Sequence, residues 1–568
     1  MAIEYIIMIL FGVVILLLIN QYIYDRYVQR KSSLLINFPV IARLRYLFEL
    51  LREPLRQYFG EETFYESRDK VDWVYQAAKG KNLFLSFSVS QPFNGSRFII
   101  KNANAVLNDD EVSDDFSVQI GVECSKPYVS SSVIVRSAMS DGALSPEATR
   151  SFAIGALNGR FPINTGEGGL TSNYFFTHKL TPAVEKYMDI IEGRPFDKVL
   201  YRMANIFFNG ALAVRFYRSL ALRHEKAKDS YILDMKTLRF YRINWKAPIE
   251  VFPQEVPQDI PDIILQMGSG LYGVRDENRQ FDPLRYQKAM TFCKMTEVKI
   301  AQGAKQTGGK IVGEKVTEDI AYYRGVEAGK DLISPNRFPY ANTVEELLAF
   351  IGRLKELSGK PVGMKIVISD SEQVEEIVSA MKNRADQGLS IPDFITVDGS
   401  DGGSATAPLE LMEGVGLSVL NSIYLIDFFL RMNQLRERVR VIGSGKILTP
   451  DDVAIALCMG ADLVGIARGF MMSGGCIRAR HCSGADGKKC PVGMATQDKK
   501  KRHSFLVIQK SVHIASYHAN LKKALKTLLA VMGLDHISKM SRRNLSYKDE
   551  QGDIFFDVDT YYQNKLHV

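Results

Sequence analysis

The sequence predicts an α/β protein: a (β/α)8 barrel carried behind one N-terminal transmembrane helix and interrupted by helical insertions. Three observations predict it. The chain has 568 residues, the length of a large barrel with extensions. Its first 20 or so residues form a nearly unbroken apolar run. From about residue 130, eight short β-rich runs, six of them ending in Gly or Ser, are followed by helical stretches.

The apolar run, Ile3 to Ile19, carries Glu4 as its only charge and is long enough to cross a hydrocarbon core. It lacks the positive start and small-residue cleavage site of a secretory signal. Arg26, Arg30 and Lys31 follow it, so the positive-inside rule sets the body of a single-pass protein in the cytoplasm. Residues 23–82 read as a helical linker, in which 38–59 has an apolar stripe at helical spacing. Residues 83–107 read as a hairpin opening the main domain, 83–568.

The eight runs are 131–137, 160–166, 262–268, 298–304, 362–368, 394–399, 439–445 and 463–469. Strand–helix alternation implies a parallel sheet, and eight units favour closure into a TIM barrel over an open sheet. Helices are clearest at 343–359 and at 449–460, where Thr449 caps and two Asp fill the first turn. The long insert at 171–260 reads as mostly helical, and a helical extension follows the barrel.

Hydrophobic residues make up 46%, which excludes disorder over most of the length. A net charge of +8 is mild for this length and is no nucleic-acid signature; the run Lys499 to Arg502 reads as a solvated loop. Six cysteines, three of them crowded between 476 and 490, suggest a reduced compartment with one cysteine site rather than a disulfide scaffold.

Chemistry concentrates at the strand ends. NTGEGG (164–169), QGAK and TGGK (302–310), DGSDGGSATAP (398–408), GSGK (443–446) and ARGF (467–470) end the second, fourth, sixth, seventh and eighth strands. Glycine lets backbone N–H groups approach a ligand, and the loops after strands seven and eight are where barrels often bind phosphate. A phosphate-bearing cofactor is expected there. Cys476, Cys482 and Cys490, with Pro491 after the last, can converge on one metal centre: an iron–sulfur cluster, or zinc with His481 as a fourth ligand. Three ordinary thiols are the remaining reading.

Here the chain resembles the FMN-binding synthase domain of the glutamate synthase family, and short stand-alone members above all. The resemblance covers roughly 130–535: SAMSDGALSPEATRSFAIGA (137–156), NTGEGG, KIAQGAK, DLISP (331–335), DGSDGGSATAPL and GSGKI in the family's order, and the cysteine loop 475–498. It implies FMN over the barrel mouth and a three-iron (3Fe–4S) cluster beside it. By matching motifs, Met139 and Ser140 would face the flavin ring, and Lys365 would place positive charge near it. Gly399, Gly402, Gly403, Ser404, Ser444, Gly445, Lys446, Ala467 and Arg468 would hold ribityl and phosphate. Glu167, Lys305 and Arg324 would serve a 2-oxoglutarate-derived substrate, and Cys476, Cys482 and Cys490 would ligate the cluster. The reaction implied is oxidoreduction on a CH–NH2 centre: reductive amination of 2-oxoglutarate, or a similar 2-oxo acid, to glutamate.

The chain also departs from that pattern. The loop QTGGK (306–310) is one residue shorter and lacks a later glutamine, which bears on the substrate more than the flavin. The Cys482–Cys490 spacing is longer than usual. The chain opens Met1-Ala2-Ile3 rather than on the cysteine nucleophile of a glutaminase domain, residues 499–568 are too few for the family's β-helix, and no dinucleotide fingerprint stands for NADPH. Ammonia and electrons are therefore expected from outside, the latter from a ferredoxin-like donor. Two other readings compete: a membrane-bound electron-transfer or scaffold protein keeping flavin and cluster, and a 2-hydroxyacid oxidase. The second would need a histidine base at the mouth, and His178, His224, His481 and His503 lie away from strand ends.

Overall fold

The computed structural model describes residues 2–46, 48, 67–83, 97–208, 210–303, 306, 308–412, 414–479, 481–484 and 489–566. Eight parallel strands close a barrel in chain order: Ile134–Arg136, Ile163–Asn164, Ile263–Met267, Met295–Lys299, Val362–Ile366, Phe394–Asp398, Arg440–Ser444 and Leu463–Ile466. These are the eight expected runs, with one shift. The fourth strand is Met295–Lys299 rather than 298–304. It starts earlier because Thr296 and Glu297 sit inside it, buried; after Lys299 the chain leaves the ladder, Ile300 N and Ala301 N both donating to Lys365 O.

The helices begin and end where their caps dictate. Val344–Ser358 starts at Thr343, whose side chain accepts from Glu346 N, and stops at Gly359 in the left-handed conformation. Pro450–Met459 opens with a reciprocal capping box between Thr449 and Asp452.

Inside the barrel, the two-residue period of a strand sorts side chains into layers. Val135, Ile264, Met295, Phe394, Ile442 and Leu463 form an apolar floor, closed by Ile120 and Tyr128. Those two come from a hairpin, Val118–Ile120 with Tyr128–Ser130. So a hairpin does precede the barrel, but later than 83–107. Residues 84–96 of that expectation lie outside the described residues, and Arg97–Ile100 pairs instead with Leu545–Lys548 of the C-terminal extension. Two residues further up the same strands the inward positions turn polar: Ser137, Gln266, Glu297, Thr396 and Ser444.

The insert is not mostly helical. Beside the helices Pro195–Phe207 and Gly210–Ala221 it holds a three-stranded antiparallel sheet of Met188–Glu192, Arg239–Ile243 and Ile232–Asp234. Helices and sheet share a small core that includes Tyr201, Tyr217, Leu233 and Phe240. The strands are short and carry charges at their ends, which hides their alternation. The C-terminal extension is a 26-residue helix, Val507–Met532, followed by the strands Leu545–Lys548 and Ile554–Phe555 and the helix Val558–Leu566.

The N-terminal helix is Ala2–Ile23, 22 residues and about 33 Å long at 1.5 Å per residue, enough to span a hydrocarbon core. Its described apolar side chains are exposed. A π-helical turn, Tyr24–Val28, follows. There Asp25 is buried and accepts from Arg43 at 2.6 and 3.0 Å, Val40 N at 3.0 Å and Gln21 at 2.9 Å. Asn37 then donates to Pro491 O at 2.8 Å, joining the foot of this helix to the cysteine loop. The apolar stripe expected over 38–59 lies mostly outside the described residues; Ile41–Arg43 is a 3-10 turn.

Candidate active site at the barrel mouth

The site is built upward from Glu297. A carboxylate inside a barrel needs donors, and three strands supply them. Asn164 Nδ2 donates at 2.8 Å, Gln266 Nε2 at 2.6 Å and Thr396 Oγ1 at 2.5 Å. One layer higher, Lys365 of the fifth strand pairs with Asp398 of the sixth at 3.2 Å; both are buried. Burial pushes the Lys365 ammonium down, but the carboxylates of Asp398, Glu297 and Glu167 outweigh it and hold the group above the usual lysine range. Lys365 is therefore a fixed positive charge beneath the mouth.

Across the well, Glu167 stands in the short turn Gly166–Gly168 after the second strand and pairs with Lys299, the last residue of the fourth. Lys299 Nζ also donates to Gln302 Oε1 at 2.9 Å. Gly268 gives Glu167 room: a Cβ there would stand 2.5 Å from its Oε2. Arg324, buried at the end of Glu318–Arg324, donates from Nη2 to Asp141 O at 3.1 Å and lies 5.2 Å over the Tyr272 ring. Among the described residues its Nε has no partner, and burial pushes its pKa down, against the opposing pull of Tyr272, Glu167 and Asp141. Lys305 lies outside the described residues.

The first-strand loop that carries half-buried Met139 and Ser140 is held from below. Arg136, fully buried, donates from Nη1 to Ser137 O at 3.0 Å and Met139 O at 3.1 Å. The loops after strands six to eight meet beside it. Gly399 N donates to Ser444 O, and Gly402 N to Gly399 O, both at 2.8 Å; Ser444 Oγ lies 3.2 Å from Ser137 Oγ. Gly303 passes so close that a Cβ would lie 1.8 Å from Gly399 O, and its N–H donates to Asp398 Oδ2 at 2.8 Å. A Cβ on Gly403, next to half-buried Ser404, would lie 3.0 Å from Arg468 Nη2. Gly445 and Lys446 turn with positive φ, and Ala467 caps the helix that Arg468 begins. The structure thus brings Met139, Ser140, Lys365, the glycines, Ser444, Lys446 and Arg468 to one rim.

The cysteine loop flanks that rim. Gln497 Nε2 donates to Gly142 O and Leu144 O, and Ser145 N to Met494 O at 2.7 Å, stitching it to the first-strand loop. Lys315 donates to Cys482 O and to Ala495 O, and Tyr75 to Cys476 O at 2.7 Å. Burial pushes the Cys476 thiol up to about 12, and its neighbours Cys482 and Cys490 add to the shift. Among the described residues no three His, Cys, Asp or Glu groups are arranged around one ion, so neither the zinc reading nor the convergence of Cys476, Cys482 and Cys490 on an iron–sulfur centre has geometric support here. The bulge expected at Ser483–Lys489 falls largely on residues 485–488, outside the described ones.

Sequence reasoning missed Lys299, Glu297, Asp398, Arg136 and Lys315. A signal existed for two of them: MTEVK places Glu and Lys two apart in a fully buried strand, a pattern an apolar run does not need.

A closed parallel barrel with a sealed floor, a charged well and a glycine-lined rim defines a (β/α)8-barrel protein built to hold a small molecule over the C-terminal ends of its strands. The chain belongs to the glutamate synthase family: the family model described as the conserved region in glutamate synthase matches residues 90–535. The "Glutamate synthase large subunit-like protein YerD" of Bacillus subtilis is 30% identical over 572 residues, covering 93% of this chain and 92% of that protein. The "Archaeal-type glutamate synthase [NADPH]" of Thermotoga neapolitana is 31% identical over 296 residues, 51% of this chain and 53% of that one. Among solved structures, a mandelate oxidase mutant with an FMN adduct aligns at a TM-score of 0.38 and 11% identity, over 88% of this chain and 99% of that one, too slight a likeness to argue from.

Proposed function

We propose that the chain is a membrane-anchored FMN oxidoreductase of the glutamate synthase kind, which aminates 2-oxoglutarate or a similar 2-oxo acid reductively, with ammonia and electrons supplied from outside. The observation that carries this is the coincidence of the family match with the charged well. FMN suits the rim for reasons of space and charge: the backbone is bare at Gly402 and at Gly403, where Arg468 Nη2 approaches, and Gly399 lets the loop fold tightly onto Asp401 and Val419. Met139, Ser140, Ser404, Ser444, Gly445 and Ala467 complete the set that would hold it, and Lys365 would lie beneath its ring. Bound there, FMN supplies the electron pair that reduces a carbon–nitrogen double bond.

The chain's own groups do the rest. Lys299, Arg324 and Lys305 offer cations suited to a dicarboxylate. The Glu167–Lys299 pair would hold a proton, carried on the Lys299 ammonium, near the reacting nitrogen. The buried floor and the Glu297 network hold these groups fixed, so little reorganisation is needed when charge changes above them. Cys476, Cys482 and Cys490 offer three thiolates to a three-iron cluster, which would pass single electrons from a ferredoxin-like donor. The apolar helix Ala2–Ile23 anchors the protein, with the barrel cytoplasmic. A 2-hydroxyacid oxidase has less behind it: among the described residues no histidine pairs with any residue of the well. His178 is engaged with Asp259 and Tyr187, and His518 with Ser132 near the floor.

The test is anaerobic purification of the full chain, followed by a screen of 2-oxo acids with ammonia that monitors reoxidation of the reduced flavin. Reoxidation by 2-oxoglutarate with ammonia, giving glutamate, is the expected result. A bound flavin that no 2-oxo acid reoxidises rejects the amination; a folded protein that takes up no FMN rejects the whole reading.

A further inference from the structure

The insert carries an apolar face that its own core does not use. In the helix Pro195–Phe207, Asp197, Tyr201 and Ala204 turn inward onto the insert core. The opposite stripe, Phe196, Val199, Met203, Ile206 and Phe207, is left in the open, with Ile206 78% and Phe207 76% exposed. Phe208 and, on the second helix, Phe216 extend it. Apolar residues recurring at helical spacing on an outward face, interleaved with Arg194, Lys198, Arg202 and Arg215, make a basic amphipathic surface rather than scattered exposed side chains.

Its position in the molecule identifies the occupant. The foot of the N-terminal helix carries exposed Tyr22, Tyr24 and Tyr27 and the basic residues Arg26, Arg30 and Lys31, as helices do where they leave a bilayer. That foot is fixed to the body at residues 491–501: Asn37 donates to Pro491 O and Lys501 O, and Lys501 Nζ lies 3.6 Å over the Phe38 ring. Beside it, Arg502 Nη2 donates to Asp229 Oδ2 of the insert at 3.0 Å, and Arg218 of the insert's second helix donates to the neighbouring Lys228 O at 2.7 Å. The insert's helices and the foot of the apolar helix therefore adjoin the same short segment. A two-fold contact between copies through this face would set like arginines against each other near the axis, whereas anionic headgroups complement them.

We propose that the outward face of Pro195–Phe207, with Phe208 and Phe216, is a second membrane contact that lies in the lipid interface beside the N-terminal helix. The proposal rests on the reading of Ala2–Ile23 as a bilayer anchor, and seats the barrel at two points instead of leaving it on a single tether.

The test places a photoreactive p-benzoylphenylalanine at one position at a time in the full chain: at Phe207, at Leu16 as the anchor control, and at Leu389, exposed on the floor side of the barrel, as the negative control. Each is reconstituted in vesicles of phosphatidylethanolamine and phosphatidylglycerol, irradiated and analysed by mass spectrometry. Phospholipid adducts at positions 207 and 16, and none at 389, are expected. Adducts at 16 with none at 207 overturn the inference while the anchor stands, and a covalent dimer through 207 overturns it in favour of self-association. An adduct at 207 without one at 16 rejects the anchor, and with it the two-point seating, leaving a lipid contact at the insert alone; no adduct at either rejects both.

Discussion

Replacing Lys365 with methionine keeps most of the side-chain volume and removes the positive end of the pair with Asp398. The two charges stand 3.2 Å apart and both are buried. At an effective dielectric of about 20, unit charges at that distance attract by about 5 kcal/mol. Breaking a buried pair by removing one partner typically costs about 3–5 kcal/mol, because the other charge is left uncompensated. Unfolding entropy of about 2.1 cal/mol/K per residue gives about 1.2 kcal/mol/K for a chain of this length, so the midpoint should fall by about 3–4 °C. The assay is thermal unfolding of the detergent-solubilised full chain, with matched flavin loading. Lys365→Met should show the drop, and Lys365→Met with Asp398→Asn should recover part of it, since the second change removes the stranded carboxylate. A single variant that melts with the parent protein would refute the buried charge pair. So would a double variant whose loss equals the sum of the two singles, since uncoupled groups add.

Three further outcomes follow from the same geometry. Arg324→Ala should weaken 2-oxo acid binding by roughly 10- to 150-fold, from about 1.5–3 kcal/mol of charge-assisted hydrogen bonding, and leave flavin content unchanged; unaltered steady-state kinetics would remove Arg324 from the substrate site. Cys482→Ser should abolish iron content and the low-temperature EPR signal while FMN stays bound, because the rim is built by other loops; zinc in place of iron in the parent protein would reject the cluster. The last concerns Asp319, whose carboxyl burial pushes up to about 7, with the Asp229 carboxylate adding to the shift. In the fold it still holds its proton where an unfolded aspartate, near 3.9, has lost it, so its contribution destabilises the fold progressively as pH rises from about 4 to 7. Asp319→Asn keeps an acceptor for Ser230 N and should flatten the pH dependence of thermal stability in that window; an unchanged slope counts against the shift.

The barrel was legible in the sequence because parallel strands buried on both faces leave short, continuous apolar runs between turn residues. Ile263–Met267 and Leu463–Ile466 are plain examples. The rim was legible through its glycines, which a barrel needs only where loops crowd. What stayed hidden were groups whose meaning depends on a partner distant in sequence. Lys299 acquires its role from Glu167, and Asp398 from Lys365 and Gly303. Arg136 looks like a charge ending a strand, and only the fold shows it buried beneath the Met139 loop. The insert sheet was missed in part for a related reason: Met188–Glu192 and Arg239–Ile243 are separated by two helices, and the one local hairpin, Ile232–Asp234 with Arg239–Ile243, has a first strand of only three residues.

Because Ile120 and Tyr128 plug the narrow end, the barrel is a blind well with one opening. In the proposed reaction the 2-oxo acid, ammonia and amino acid must all pass through that opening, so nothing large can rest on it for long without stopping exchange. The described part of the cysteine loop is bound to the first-strand loop, through Gln497 Nε2 and through Ser145 N to Met494 O, at one flank of that opening. An electron donor seated there leaves the opening clear. On the proposed electron route, electrons would then arrive from the flank while small molecules come and go from above, and one donor would remain seated through successive turnovers.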